Sequence, residues 1–444
     1  RTESASDFTK SLEKRHRFSR ERKRIASNKE NKKLFKKGLK NLGPPKECID
    51  NLNKDLENKL YGNAENLSLR ITREFPGHQY AWSVLSTLLL KRGAFSEALK
   101  VNHQALRFHS ESAEAHHNMS YALLAIKDFN QGFKHHEWRW KTKERANYFL
   151  KSAKPMWNGE KNQRILVWGE QGIGDEIMFS SVILDLYAAS LQILVKCDKR
   201  LIPLFERSFP SDMIYFSKSQ PVPEDKYDFH IPMGSLPLTF RKSPECFRKS
   251  ASGFLKCDMA KAESIKTLLT HKHSKKIIGI SWKTKSALRN SSNRDVKLAE
   301  LANALDRSDT QLLCLQYGDV FDEIEAVHRD FGINVTQFGD VDNMNDIDGL
   351  ASLIMACDQI VSTTNATVHL AGALGAKVTA LLPFSPRWIW GTGSESFWYD
   401  SVTPLKQKSH HKHNTYLKHP NMRPTSQRTQ HTISLRAKTE FFFC

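Results

Sequence analysis

The chain has 444 residues, 39% of them apolar and 10% aromatic, with a formal net charge of +19. That is enough for two or three domains with real cores. Residues 1–42 hold a net +10 and residues 406–444 a net +7, which leaves only +2 for the body between them. The basicity therefore belongs to the ends and argues against a globular nucleic-acid binder. No stretch approaches the ~18 apolar residues that a membrane span needs. Seven scattered cysteines without a CxxC pair exclude a disulfide frame and a cysteine zinc site, and predict a cytoplasmic protein.

The basic segment 1–42, helical or disordered, reads as a solvated helix or a binding arm. No apolar stretch follows its charges, so it is not a secretory signal. Residues 43–150 carry a repeat. At an offset of 34 residues Leu85 aligns with Met119, Ser86 with Ser120, Leu89 with Leu123, Phe95 with Phe129 and Ala98 with Gly132. A degenerate copy precedes, with Ala64 at the Ala98 position and Pro76 closing it. Large and small residues at this spacing predict antiparallel helix pairs of the tetratricopeptide type. Such an array is a packing platform or a surface for a protein partner. Trp138, Trp140 and Trp157, at and after the end of the repeats, are too large and apolar for a flexible linker and read as glue to the next domain or as a carbohydrate-stacking surface.

From residue 151 the pattern changes to alternating strands and helices. In 151–272 these are RILVWGE, the helical DEIMFSSVILDLYAAS, LQILVKCD, the helical KRLIPLFERSF, MIYFSK and YDFHIPM, then a connecting helix over 260–271. In 273–407 a second series runs from KKIIGISW through TQLLCLQYG, FDEIEAVHRD, INVTQFG, DIDGLASLIMAC, DQIVST and ATVHLAGALG to KVTALLPF. Alternation of this kind predicts parallel sheets covered by helices, in two Rossmann-like halves. Residues 408–444 have no period of either kind and read as a disordered basic tail. Their His410, His411 and His413 lack an accompanying carboxylate or thiol.

Ligands of such sheets sit at the carboxyl ends of strands. After the first strand comes Gly169-Glu-Gln-Gly172-Ile-Gly174-Asp175. It is neither GxGxxG nor a P-loop, so it supports no dinucleotide or ATP site. Asp175 is either a helix cap or a general base for an acceptor hydroxyl. After IIGISW come Lys283, Lys285, Arg289 and Arg294, either an ordinary basic loop or cations for a diphosphate. Thr363, Thr364 and Asn365 open the helix that contains His369, and its free N–H groups form an anion site. His369, about one helical turn further in, reads as a packed residue rather than a catalyst and is counted with the phosphate-binding set. Gln316, after the strand TQLLCL, joins the donor-side set. No cluster has metal-ligand spacing, so no metal is required, and a diphosphate is the natural ligand of the two loops.

The segments HEWRW, ILVWGEQGIGDEIMF, YDFHIPMGSLP, STTNATVHLAGALG and LLPFSPRWIWG together resemble tetratricopeptide-repeat proteins with a glycosyltransferase domain. That domain is similar to the ADP-heptose:lipopolysaccharide heptosyltransferases of glycosyltransferase family nine. The resemblance covers about residues 45 to 407. It implies an α plus α/β chain, with helical repeats followed by a GT-B fold whose carboxyl-terminal half binds the donor. It further implies inverting, metal-independent transfer from a nucleotide-diphosphate sugar, as co-substrate and without a cofactor, to a glycan, lipid-linked or protein acceptor. The family's proposed base matches Asp175, in a loop with Gly172 and Gly174 on the acceptor side. Its phosphate contacts match Lys283 and Arg294, and its DTSxAHLAGALG segment matches Thr363 to Gly375 with Asn365 in place of the aspartate. The alternative is a non-catalytic repeat scaffold with a degenerate transferase domain.

Overall fold

The computed structural model of the protein describes residues 43–250, 253–270, 275–284 and 294–407. The expectations for the arm 1–42, the tail 408–444, Lys285, Arg289 and the three tail histidines fall outside these residues. The chain divides into two compact units between Met119 and Ser120.

The first unit is helical: Lys46–Glu57, Tyr61–Glu74, Gln79–Arg92 and Phe95–Phe108, with the start of Ala113–Ala125. The first four pack successively on one another across short links, so each reverses the last. Gly93 closes Gln79–Arg92 in the left-handed conformation at φ 76°, which only glycine adopts cheaply. Leu52, Ala64, Ile71, Ala81, Val84 and Leu88 form the core. Ala64, Ala98 and Ala105 are buried, and their missing bulk lets neighbouring helices approach.

The second unit holds the strand–helix alternation. Strands β1 (Arg164–Trp168), β2 (Gln192–Cys197), β3 (Ile214–Ser217) and β4 (Phe229–Pro232) form a parallel sheet in the order β3-β2-β1-β4. Strands β5 (Lys276–Ser281), β6 (Thr310–Cys314), β7 (Val335–Thr336), β8 (Gln359–Thr363), β9 (Val378–Leu382) and β10 (Val402–Lys406) form a second. Its order is β10-β9-β8-β5-β6-β7, again parallel throughout. Their central strands are buried almost end to end, as parallel strands covered on both faces must be. Each sheet reverses its order once, between β1 and β4 and between β5 and β8. A crevice opens at such a switch point, at the carboxyl ends of the flanking strands.

The second unit starts at Ser120, and aromatic packing ties its first helices to the sheets. Phe129 lies 4.6 Å from Phe247 and 4.9 Å from Phe397, ring centre to ring centre, and Trp140 lies 5.3 Å from Trp168. Trp157 stacks on Phe240 at 6.0 Å, and its backbone N–H donates to the His230 carbonyl. Gly132 approaches Leu124 so closely that an added Cβ would stand 2.6 Å from Leu124 Cδ2.

The single helix expected over 175–190 is two, Ile173–Ser180 and Ile183–Tyr187, parted by a turn at Ser181 and Val182. Strand β10 and the helix Leu298–Leu305 are additions to the expected elements. The linker between the halves returns to the second: the N–H groups of Phe254 and Leu255 both donate to the Ala373 carbonyl, at 2.8 and 3.0 Å. An ion pair between Arg207 and Asp348 also joins the halves. Among the described residues no helix is long and apolar enough to cross a membrane.

Candidate active site at the junction of the two halves

The loop after β1 is held from below. Arg139 of HEWRW is fully buried and ion-pairs with Glu170 at 2.9 Å and Glu137 at 2.7 Å. It also donates to Ser235 Oγ, which follows β4, at 2.8 Å, and stands 4.6 Å over the Trp140 ring. Burial presses its pKa down, but Glu170 and then Glu137 more than restore it. Gly234 leaves room for this arrangement: a Cβ there would meet Glu170 Oε1 at 2.1 Å. Glu176 also has a structural role. It is buried, accepts the Asp198 N–H at 2.9 Å and pairs with Lys218; burial raises its pKa.

Asp175 is different. The helix Ile173–Ser180 begins on Gly172 without any side-chain cap, so Asp175 does not serve as the cap that its position allows. Its carboxylate faces the other half, where Arg387 Nη2 donates to Oδ1 at 3.4 Å. Gly174 brings the two halves together, since a Cβ there would stand 3.2 Å from His369 Cδ2 and 3.4 Å from Ala366 Cα. The amino ends of Ile173–Ser180 and Ala366–Ala373 therefore meet, and two positive helix ends share one place.

On the second half, Asn365 caps Ala366–Ala373 by accepting the Thr367 N–H at 3.0 Å. Its amide nitrogen donates to Ser281 Oγ at 2.7 Å and to the Lys283 carbonyl at 3.1 Å. These are donor bonds that an aspartate at this position could not make. The hydroxyls of Thr363, Thr364 and Thr367 are buried without a hydrogen-bond partner around the same helix end. Arg294 Nη1 stands 3.5 Å from the Thr364 carbonyl. Burial, and then the neighbouring Arg387, lower the Arg294 pKa, with Asp295 opposing them.

The remaining expected residues are more committed. Gln316 is buried, and its side-chain oxygen accepts from Ser281 Oγ, Trp282 N and Lys283 N at 2.9–3.0 Å. Its amide nitrogen donates to the Lys283 carbonyl at 3.1 Å, so it clamps the chain leaving β5. The Lys283 ammonium pairs with Glu323. Among the described residues no group of three His, Cys, Asp or Glu could hold a metal ion, and six cysteines are free.

His369 is packed. Its ring stacks on Trp390 at 5.4 Å, and Nδ1 lies 3.0 Å from the Tyr399 hydroxyl. Burial pushes its pKa down to about 4, against the opposing pull of Asp175; Arg387 adds to the depression. The unfolded chain takes up a proton below about pH 6.5 that the folded imidazole refuses until about pH 4. The site's stability is thus complete above pH 6.5 and is lost as pH falls through that window, by at most about 1.4 kcal/mol per pH unit. Urea denaturation at stepped pH should show this slope, and His369→Gln should flatten it; an unchanged slope would place the proton uptake elsewhere.

Arg387 is the site residue that reading for motifs misses. It lies on the connection after β9, at the carboxyl end of a strand like every other member of the set. The strand-end rule finds it where the motif LLPFSPRWIWG does not single it out.

No protein-family model matches the chain. Protein FlbA of Caulobacter vibrioides is 25% identical over 378 residues, covering 72% of this chain. The chain spans 63% of that relative's length. Among solved structures, a glycosyl transferase family 9 protein from Veillonella parvula matches 56% of this chain and 87% of its own at 12% identity, with a TM-score of 0.40. The ADP-heptose LPS heptosyltransferase II of E. coli matches 62% and 99% at 14% identity, also with a TM-score of 0.40. A mutant O-GlcNAc transferase of Thermobaculum terrenum matches 88% and 92% at 10% identity, with a TM-score of 0.31.

Proposed function

We propose that the chain is a glycosyltransferase that moves a sugar from a nucleotide-diphosphate donor to a hydroxyl of a glycan, lipid-linked or protein acceptor. One observation carries the reading. At the switch point between β5 and β8, Arg294 and the start of Ala366–Ala373, with three unpartnered threonine hydroxyls, face an aspartate that does no capping work. The diphosphate rests on that helix end and on Arg294, with Lys283 joining it by exchanging Glu323 for phosphate. Asp175 takes the proton of the acceptor hydroxyl as its oxygen attacks the anomeric carbon. The carbon–oxygen bond to the diphosphate breaks, and the departing oxygen keeps the electron pair. One displacement inverts the anomeric centre, and Arg294 and the helix end meet the leaving charge without a metal. Gly172 and Gly174 shape the acceptor side. The helical unit, read as tetratricopeptide-like, offers a platform for a protein partner, and the free thiols fit a reducing cytoplasm.

A panel of nucleotide sugars, scored for release of nucleoside diphosphate and for thermal shift, tests this. One donor is expected to raise Tm and to be turned over. A strong donor shift unaffected by Lys283→Ala would reject the role given to Lys283. The competing scaffold reading draws on the Lys283–Glu323 pair, which occupies an expected phosphate ligand. Failure of every donor in both assays would favour it.

A further inference from the structure

Arg387 and Asp175 hold each other in a way that a ligand can undo. Their contact is a single one at 3.4 Å, longer than a charge-assisted hydrogen bond and without the two parallel bonds of a bidentate pair. The Arg387 side chain is 43% exposed and that of Asp175 is 16% exposed. The backbone on the carboxyl side of Arg387 is fixed, because Trp388, Ile389 and Trp390 are all buried, so the side chain can swing while its root stays. The alternative partner lies nearby. Arg387 is close enough to Arg294 to depress its pKa, and Arg294 stands at the helix end where the diphosphate is placed.

Two guanidiniums, Arg387 and Arg294, lie near the Asp175 carboxylate, and Asp295 also acts on Arg294. A guanidinium tied to a carboxylate is a weaker anion ligand than a free one, and the carboxylate oxygen that it holds is closed to an incoming hydroxyl. We propose that Arg387 is a positioning residue that exchanges Asp175 for the donor's diphosphate, so that the base is released only when the donor is in place. The inference rests on the glycosyltransferase reading above. No covalent bond changes in the exchange: the empty site keeps Asp175 neutralised, and the filled site pairs Arg387 with phosphate oxygens and frees Asp175 for the acceptor hydroxyl.

Isothermal titration of the full chain with ADP, GDP, UDP, CDP and dTDP, and with the matching monophosphates, tests it. For the diphosphate that binds, Arg387→Gln is expected to weaken affinity about tenfold or more. The monophosphate should lose much less, and Arg387→Lys should recover part of the loss. Asp175→Asn should tighten the diphosphate several-fold when Arg387 is present and give no gain when it is Arg387→Gln. A purely structural Arg387 would not produce that dependence. Wild-type affinity in Arg387→Gln, or an equal gain from Asp175→Asn in both backgrounds, would overturn the exchange while leaving the transferase reading intact. If wild-type protein binds none of the five diphosphates, the transferase reading itself fails, and the exchange with it.

Discussion

Asp175→Asn is expected to lower kcat for sugar transfer by about 10²–10⁴-fold while the protein keeps its fold and binds its donor at least as well. The neighbouring carboxylates are already engaged. Glu170 is held by Arg139, and Glu176 by Lys218 and the Asp198 N–H. The helix start is closed by Gly172 without any side chain. Of the acidic groups from 170 to 176, only Asp175 has its carboxylate turned to the other half, against Arg387. Asparagine keeps the shape and loses the proton acceptor, so a base should disappear while binding persists. Steady-state kinetics on the accepted donor, beside a thermal melt, decide the matter. A normal kcat with a lowered Tm would make the Asp175–Arg387 contact a structural tie and remove Asp175 from the chemistry.

Arg139→Met should destabilise the α/β unit by about 3–5 kcal/mol. The side chain has no exposed surface and serves Glu170, Glu137, Ser235 Oγ and the His136 carbonyl together. Removing it strands the Glu170 carboxylate, which is only 1% exposed, without its cation. The damage reaches function because Glu170 belongs to the loop that presents Asp175. Equilibrium urea unfolding should show the loss, and the double change Arg139→Met with Glu170→Met should recover part of it by removing the orphaned charge. No recovery would mean that lost packing against Trp140, rather than the stranded carboxylate, sets the cost.

Much of this site was legible in the sequence because parallel α/β sheets write their chemistry at strand ends. The apolar run RILVW breaking into glycines placed Asp175, and DQIVST followed by TTNAT placed the second helix start. What stayed hidden involves partners far apart in the chain. Arg139 meets Glu170 from 31 residues away, and Gln316 reaches Trp282 from 34, so neither bond leaves a local pattern. Strand β10 was obscured by Pro404, a residue that ordinarily breaks strands. It is tolerated because β10 lies at the sheet edge, where a missing N–H costs no ladder bond on the open side. The helix break at Ser181 also escaped, since SSVILDL keeps an apolar period straight across it.

Everything proposed for catalysis depends on a donor's diphosphate resting on the start of Ala366–Ala373 opposite Asp175. A crystal structure of the protein with a bound nucleoside diphosphate is the decisive measurement. Phosphate oxygens are expected within hydrogen-bond reach of Arg294 and of the Thr364 and Thr367 hydroxyls. A nucleotide bound elsewhere, with those hydroxyls and Arg294 untouched, would contradict the proposal.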